Sequence, residues 1–330
     1  MPTPVVIDTD GGVDDAVALW WAATNPDVDL LAVTIVSGNV SLDVATEAVL
    51  RVLHAAGRPD VPVAIGLDRP IGPAPDTRPA TFIHGDDGLG NTVDRSIPFD
   101  GRAVDESAID LLQRIAHERA GELTLVTIGP LSNIGRVVAD DPQFATRVRE
   151  LIVMGGTTRR LGNAAPIGEA NVVHDPRAAQ NVVTAAWNAP PLLVGLDVTH
   201  QATFSAHEFE LIGEHRNDAA TFLDGPLDFY RRFGSTFTAP DTPCHDLLAV
   251  MAAAYPDVIS DAPLLPLAVD CGGGAAWGTT VVDLRAPYFA ARDGSHQQSA
   301  AGFATWRIAL QADVAQFRER VCRLFGGAQH

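Results

Sequence analysis

The strongest constraint on the fold is an alternation that runs from the N-terminus to about residue 200. Short apolar runs rich in β-branched residues alternate there with periodic segments of helical length. This pattern is typical of α/β proteins with a parallel sheet. No internal repeat or low-complexity linker divides the chain. We therefore predict one α/β domain over residues 1–330, with an open, mostly parallel, Rossmann-like central sheet flanked by helices. Its active site should lie at the carboxyl ends of the strands.

The individual elements follow from the same periodicity. The predicted strands are Val5–Asp8, Leu30–Ser37, Val61–Gly66, Leu123–Ile128, Glu150–Gly155, Leu192–Asp197, Leu264–Asp270 and Thr279–Arg285. The predicted helices are Asp14–Thr24, Leu42–Ala56, Ser107–Arg119 and a helix that Asp175 caps, that Pro176 opens and that runs to Trp187. Beyond residue 205 the pattern is mostly helical, apart from the last two strands. Residues 67–104 and 157–171 form long loops rich in Gly, Pro and polar residues, which favours a functional role for both.

Composition excludes several classes of protein. The net charge of −18 disfavours nucleic acid as a partner, because an acidic surface repels phosphate backbones. No apolar run is long enough to span a bilayer, and the N-terminus lacks the basic region of a secretory signal. The three cysteines are far apart and share no metal-ligand spacing, which indicates free thiols in a reducing compartment. We expect a cytoplasmic protein that contacts neither nucleic acid nor membrane.

Four carboxylates stand within eight residues at the end of the first predicted strand. They belong to Asp8, Asp10, Asp14 and Asp15, and the pair Gly11-Gly12 between them permits a sharp turn. Carboxylates packed this closely repel one another unless a cation or protons are present. An all-oxygen set suits calcium or magnesium better than zinc. The segment therefore predicts a hard-cation site, although the same aspartates could serve only as caps and as the opening of the next helix.

The same segment also resembles the start of haloacid-dehalogenase-type phosphatases, in which Asp8 and Asp10 would be the reacting pair. That family holds the phosphoryl group with a basic residue that is nearly always lysine. All 23 basic residues of this chain are arginines. The phosphatase is therefore the weaker alternative.

A longer series of motifs resembles the inosine–uridine nucleoside hydrolase family. The series begins with Asp8–Leu19 and continues in the same order as in that family, through residues 36–40, 84–90, 127–133, 153–156, 163–171, 195–199, 245–249 and 278–283. Each motif is weak alone, but the shared order makes chance similarity improbable. The resemblance implies an enzyme that hydrolyses the N-glycosidic bond of ribonucleosides through an oxocarbenium-like sugar.

The resemblance also implies a set of roles around a bound calcium ion. Its ligands would be Asp10, Asp15, the backbone carbonyl of Ile128 and Asp246, completed by the ribose hydroxyls. Asp14 would be the general base that activates the attacking water. One departure is Gly11, which stands where the family usually has proline, so this loop would be less rigid.

The remaining roles concern the nucleoside. The implied substrate-binding residues are Asn39, Asn163, Glu169 and Asn171 around the ribose, Met154 against the sugar, and His84 and Tyr230 near the base. His245 is the candidate acid for the leaving base, and neighbouring carboxylates predict a raised pKa for it. His84 could instead be the group that protonates the leaving base, could stack on the base, or could be only a loop residue. Arg231 and Tyr230 could equally be packing residues, and His200 receives no role. Asp8 is expected to orient the metal loop, and Cys244 only to pack.

Three questions stay open on the sequence alone. The pocket could belong to a nucleoside-binding protein without turnover, although Asp14 would then have no purpose. The preference between purines and pyrimidines is not readable. The resemblance implies a homodimer or homotetramer that acts in purine or pyrimidine salvage, whereas the chain itself shows no signature of self-association.

Overall fold

The computed structural model describes residues 1–73, 79–99, 101–214, 217–237, 241–285 and 301–326. Its strands are β1 Thr3–Thr9, β2 Val28–Ile35, β3 Val63–Ile65, β4 Thr124–Thr127, β5 Glu150–Met154, β6 Leu192–Val194, β7 Thr203–Phe204, β8 Thr242–Pro243, β9 Ile259–Asp261, β10 Leu264–Val269, β11 Thr280–Val282, β12 Ala304–Ile308 and β13 Gln311–Ala312. Its helices are α1 Val13–Thr24, α2 Leu42–Ala55, α3 Thr81–His84, α4 Ala108–Glu118, α5 Ser132–Asp140, α6 Phe144–Arg147, α7 Ala170–His174, α8 Pro176–Thr184, α9 Leu196–Thr199, α10 Ala206–Glu214, α11 Asp218–Phe237, α12 His245–Ala254 and α13 Val314–Leu324, with a 3₁₀ turn at Pro256–Val258.

One large sheet forms the centre of the protein. Within the described residues it has nine strands in the order β11-β10-β12-β6-β5-β4-β1-β2-β3. β10 pairs antiparallel with both of its neighbours, and the other pairs are parallel. The predicted fold class, a mostly parallel α/β sheet flanked by helices, is therefore confirmed. That residues 1–330 form one domain stays a prediction.

Alternation along the strands divides the core between the two faces of this sheet. Val5 and Ile7 of β1 point into a cluster with α1, α2, α11 and α12, whereas Val6 points into a cluster with α4, α5 and α8. Both faces are apolar because both are covered by helices, as expected for a parallel sheet.

Strand order reverses between β1 and β4. β2 and β3 follow β1 on one side, and β4, β5 and β6 run outward on the other. The connections leave the sheet in opposite directions at such a point, which opens a crevice beyond the carboxyl ends of the strands. Asp10 follows β1 at this crevice and Ile128 follows β4.

The structure corrects several of the predicted elements. The helix expected to run to Trp187 ends at Thr184, because Ala185 is extended and the Trp187 indole folds back to donate to the Val182 carbonyl at 2.8 Å. The strand expected to run to Asp197 ends at Val194, and Gly195 is instead the N-cap of helix α9. The predicted mostly helical second half also contains β12, a central strand that the sequence analysis missed.

No helix in the described parts of the chain is long and apolar enough to cross a membrane.

Candidate active site

The carboxylate cluster lies in the crevice between β1 and β4. Asp10, Asp14, Asp15 and Asp246 are all buried. Oxygens of Asp14, Asp15 and Asp246 come within 4.8 Å of one another. Asp14 and Asp15 lie in the first turn of α1, and Asp246 lies in the first turn of α12, which packs against α1. Both helices thus present their N-terminal ends, with partial positive charge, to the carboxylates.

Local hydrogen bonds orient each carboxylate. Asp15 accepts from the Thr9 hydroxyl and, at 2.7 Å, from the Gly12 amide. Asp10 accepts from the Asn39 backbone amide at 2.7 Å and from its side chain at 3.1 Å. The Asn39 side chain also reaches Asp15 at 3.4 Å. The predicted ligands Asp10 and Asp15 are therefore joined through Asn39, a residue predicted to bind ribose.

The glycines of this segment are needed for its shape. Gly11 has a φ of 75°, and a Cβ there would lie 2.7 Å from Ala45 Cα. Proline, whose φ is fixed near −65°, could not take this conformation. Glycine in place of proline predicted a less rigid loop at Gly11, whereas the structure has a left-handed turn packed against α2. At Gly12 an added Cβ would lie 2.6 Å from His84 Nδ1 and 2.8 Å from Asn39 Nδ2.

Because these carboxylates are buried, their negative charges are unfavourable unless a cation or bound protons offset them. Burial, followed by repulsion from Asp15, raises the pKa of Asp14 to about 7. Burial is also the main reason why the pKa values of Asp10, Asp15 and Asp246 are raised. Asp14 Oδ1 is buried and accepts no hydrogen bond. These residues fit a hard divalent cation, because they offer only oxygen donors and one carboxylate oxygen is without a partner.

Asp8 takes a different position. Its side chain leaves β1 on the face of the sheet that α5 covers, whereas Asp14 belongs to α1 on the other face. The Asp8 carboxylate accepts from the Thr34 hydroxyl at 2.6 Å and from Asn133 at 2.8 Å. Asn133 also donates to the Ile35 carbonyl at 3.0 Å, so Asp8 ties β1, β2 and α5 together. That Asp8 orients the metal loop stays a prediction. Burial raises the pKa of Asp8 to about 7.

Tyr230 and His84 form an aromatic wall beside Asp14. The Tyr230 hydroxyl lies 3.4 Å from Asp14 Oδ2, and its ring lies 5.7 Å from that of His84. His84 Nδ1 accepts from the Val13 amide at 3.1 Å and lies 3.9 Å from Asp14 Oδ1. Burial lowers the pKa of His84 to about 3. Arg231 points elsewhere, to Asp228 at 2.7 Å and over the Phe209 ring at 4.9 Å.

Asn171 and Met154 meet at the ends of β4 and β5. The Asn171 side chain donates to the Ile128 carbonyl at 3.0 Å and contacts the Met154 carbonyl at 3.2 Å and sulfur at 3.3 Å. The Ile128 carbonyl is thus already an acceptor, but its second lone pair can serve as a ligand.

Glu169 and Asn163 have structural partners in this structure. Both Glu169 oxygens accept backbone amides, from Gly156 at 2.8 Å and Asn171 at 3.0 Å, so the buried carboxylate caps α7. Asn163 is exposed, and its side-chain oxygen accepts from the Ala170 amide at 2.9 Å. Neither arrangement was foreseen, because the sequence spacing does not distinguish a cap from a ribose ligand.

The expected raised pKa of His245 is wrong. Burial, followed by the charges of His200 and His84, lowers its pKa to about 3. His245 Nδ1 lies 2.7 Å from the Thr199 hydroxyl, and the His200 ring meets the His245 ring edge-to-face at 5.3 Å.

Comparison with known proteins decides the family. A family model described as inosine-uridine preferring nucleoside hydrolase matches residues 5–319. This chain belongs to that family. The nucleoside hydrolase of that name from Leishmania major is 37% identical over 290 residues, which cover 87% of this chain and 90% of the relative. A probable uridine nucleosidase 2 from Arabidopsis thaliana is 35% identical over 257 residues, 78% of this chain and 79% of the relative.

The solved structures agree with this assignment. A plant nucleoside hydrolase superposes with a TM-score of 0.88 at 31% identity and covers 99% of this chain and 100% of its own. A purine-preferring ribonucleoside hydrolase from Gardnerella vaginalis gives a TM-score of 0.84 at 29% identity, with 98% of each chain covered. The protein is a nucleoside hydrolase that acts on ribonucleosides. This result replaces both alternatives, the phosphatase and the binding protein without turnover.

Several residues of this nucleoside hydrolase site were missed or given no role. Thr9 stands inside the aspartate motif, so its contact with Asp15 could have been suspected from proximity alone. Thr34 and Asn133, which hold Asp8, come from strand β2 and helix α5 and lie 26 and 125 residues away from it. Thr199 and His200 are 46 and 45 residues before His245, and no local pattern pairs them with it.

Proposed function

We propose that the enzyme hydrolyses ribonucleosides to ribose and free nucleobase in a calcium-dependent reaction. The observation that carries the proposal is the buried trio Asp14, Asp15 and Asp246, in which Asp14 Oδ1 accepts no hydrogen bond. The proposed ligands are Asp10, Asp15, the Ile128 carbonyl and Asp246. When bound, calcium would offset the carboxylate charge, bind the vicinal ribose hydroxyls and lower the pKa of water.

Asp14 is the proposed general base. It is buried beside Asp15 and Asp246, and its free oxygen can accept a proton from the attacking water. The oxygen of that water bonds to C1′ while the C1′–N bond breaks, and the bonding electrons leave with the base. The neighbouring carboxylates stabilise the positive charge that develops on the sugar.

The remaining side chains bind and orient the nucleoside in this proposal. Asn39, Asn171, Glu169 and Asn163 surround the ribose, Met154 packs against it, and Tyr230 and His84 face the base. Since its pKa is lowered to about 3, His245 is neutral near pH 7 and assists the leaving base as a hydrogen-bond donor. The neutralising proton then comes from solvent.

Calcium dependence is tested by activity and by binding. Ribose release from inosine, uridine, cytidine and adenosine is measured after chelation and after re-addition of calcium, magnesium or zinc. Calorimetric titration of the chelated protein with calcium gives a readout independent of turnover. Asp246→Asn should weaken calcium binding at least tenfold, as expected for loss of one charged ligand. Asp224→Asn, which removes an exposed carboxylate on α11, is the matched control. Full activity in chelated protein that binds no calcium would refute the proposal.

The proposed substrate partner is a small ribonucleoside, and we propose a homodimer or homotetramer. Sedimentation of the purified protein measures the second point directly, and a monomer at assay concentration would contradict it.

A further inference from the structure

The hydroxyl of Thr199 is buried against the ring of His245. Thr199 is the last residue of α9 and is fully buried. Its Oγ1 lies 2.7 Å from His245 Nδ1, which is hydrogen-bond distance between a hydroxyl and a ring nitrogen. In the part of the chain that the structure describes, Thr199 Oγ1 has no other hydrogen-bond partner.

This contact decides which ring nitrogen carries the proton. A hydroxyl can donate to a ring nitrogen only if that nitrogen carries no proton. If Nδ1 held the proton, it would donate to Oγ1, and the buried Thr199 hydroxyl proton would have no acceptor. If the hydroxyl donates to Nδ1, both groups are satisfied and the ring proton lies on Nε2. The second arrangement is favoured, because a buried unsatisfied donor is costly.

The segment that carries Thr199 is held between the chain at Leu310–Ala312 on one side and the start of α12 on the other. The Gln201 side chain donates to the Asp197 carbonyl at 2.9 Å and to the Leu310 carbonyl at 3.0 Å, and it accepts from the Ala312 amide at 3.1 Å. The Cys244 amide, directly before His245, donates to the Ala202 carbonyl at 3.1 Å. The distance between Thr199 and His245 is thus fixed from both sides.

We propose that Thr199 is a positioning residue for hydrolysis, which fixes His245 in the tautomer with its proton on Nε2. That nitrogen is then always ready to donate a hydrogen bond to the departing nucleobase. The inference rests on the proposed role of His245 at the leaving base. It adds a residue that acts through His245 and touches neither the substrate nor the cluster Asp14, Asp15 and Asp246.

The test compares a leaving group that needs assistance with one that does not. Nucleobases leave poorly, whereas p-nitrophenolate is a stable anion that departs without a proton donor. Thr199→Val keeps the shape of the side chain and removes the hydroxyl. We expect it to lower kcat for inosine and uridine about tenfold, the factor for one ordinary hydrogen bond, with KM changed less than about twofold. The rate with p-nitrophenyl β-D-ribofuranoside should stay within about twofold.

Three further variants isolate the mechanism. Thr199→Ser keeps the hydroxyl and should restore most of the rate with nucleosides. In a His245→Ala background, Thr199→Val should have no further effect, because the residue it acts through is gone. Thr124→Val removes another buried hydroxyl, at the opposite end of β4 from the site. It should leave the rates of cleavage of nucleosides and of the nitrophenyl riboside unchanged.

The outcomes separate this inference from the proposed role of His245. If His245→Ala slows nucleosides and the nitrophenyl riboside equally, the role of His245 is wrong and the inference falls with it. If His245→Ala is selective but Thr199→Val slows both substrates equally or neither, only the inference is overturned. Nitrogen-15 NMR of labelled histidine in the wild-type protein gives a readout without any variant. A His245 signal with the proton on Nδ1 would overturn the inference.

Discussion

Replacing Asp8 by asparagine should remove a large part of the pH dependence of stability. Asp8 is buried, its Oδ2 accepts from Thr34 and Asn133, and its Oδ1 has no partner. Asparagine has the same shape, and its carbonyl can accept the same two hydrogen bonds. The amide group then takes the place of Oδ1. The substitution therefore changes the titration more than the packing.

The sign and size of the effect follow from the pKa. Burial raises the pKa of Asp8 from 3.8 to about 7, so the folded protein binds this proton more tightly than the unfolded chain. The resulting stabilisation is fully present below the unfolded pKa and is lost as the pH rises towards 7. Between about pH 5.5 and about pH 8 the loss is about 2 kcal/mol. Asp8→Asn lacks this contribution at every pH.

The assay is chemical denaturation of wild type and Asp8→Asn in saturating calcium at several pH values. If the cluster Asp14, Asp15 and Asp246 binds calcium as proposed, saturating calcium should remove its contribution to the pH dependence, whereas Asp8 lies outside that cluster. The difference in unfolding free energy between the two proteins should change by about 2 kcal/mol over this range, with wild type favoured at low pH. Asp224→Asn, with an exposed side chain, should follow wild type. A difference that is independent of pH would refute the reasoning.

Three other predictions concern the metal loop and the substrate. Asp14→Asn should still bind nucleoside, measured by calorimetry, but should lower kcat by about 10²–10⁴, the usual contribution of a general base; turnover at the wild-type rate would exclude Asp14 as the base. Gly11→Ala should lower the unfolding free energy by at least about 1 kcal/mol and weaken calcium binding, because its φ is 75° and the new Cβ would meet Ala45 at 2.7 Å. Gly57→Ala is its control for φ, since Gly57 has a φ of 74° with open space around it, and equal losses in both variants would exclude the packing argument. Finally, 2′-deoxyuridine should be cleaved at least about 100-fold more slowly than uridine, because it lacks one of the hydroxyls that the site is proposed to bind, and comparable ribose and deoxyribose release would count against that model.

The sequence by itself determined the fold class and the location of the chemistry. Apolar runs that alternate with helical segments specify a parallel sheet, because each strand must bury both faces. The motif from Asp8 to Asp15 begins in the last two residues of β1 and continues beyond the strand, so its position at the edge of the sheet was predictable from local order. The shared order of motifs along the chain indicated the family.

Tertiary structure decided how each polar group is used. Glu169 and Asn163 stand at the predicted spacing, yet their oxygens accept backbone amides. His245 is adjacent to a carboxylate in the sequence, yet burial, followed by the charges of His200 and His84, lowers its pKa. Strand β12 joins β6 and β10, and its place in the sheet depends on pairing across more than a hundred residues. Local sequence encodes propensity and spacing, whereas burial and hydrogen-bond partners come from residues distant in the chain and exist only once it has folded.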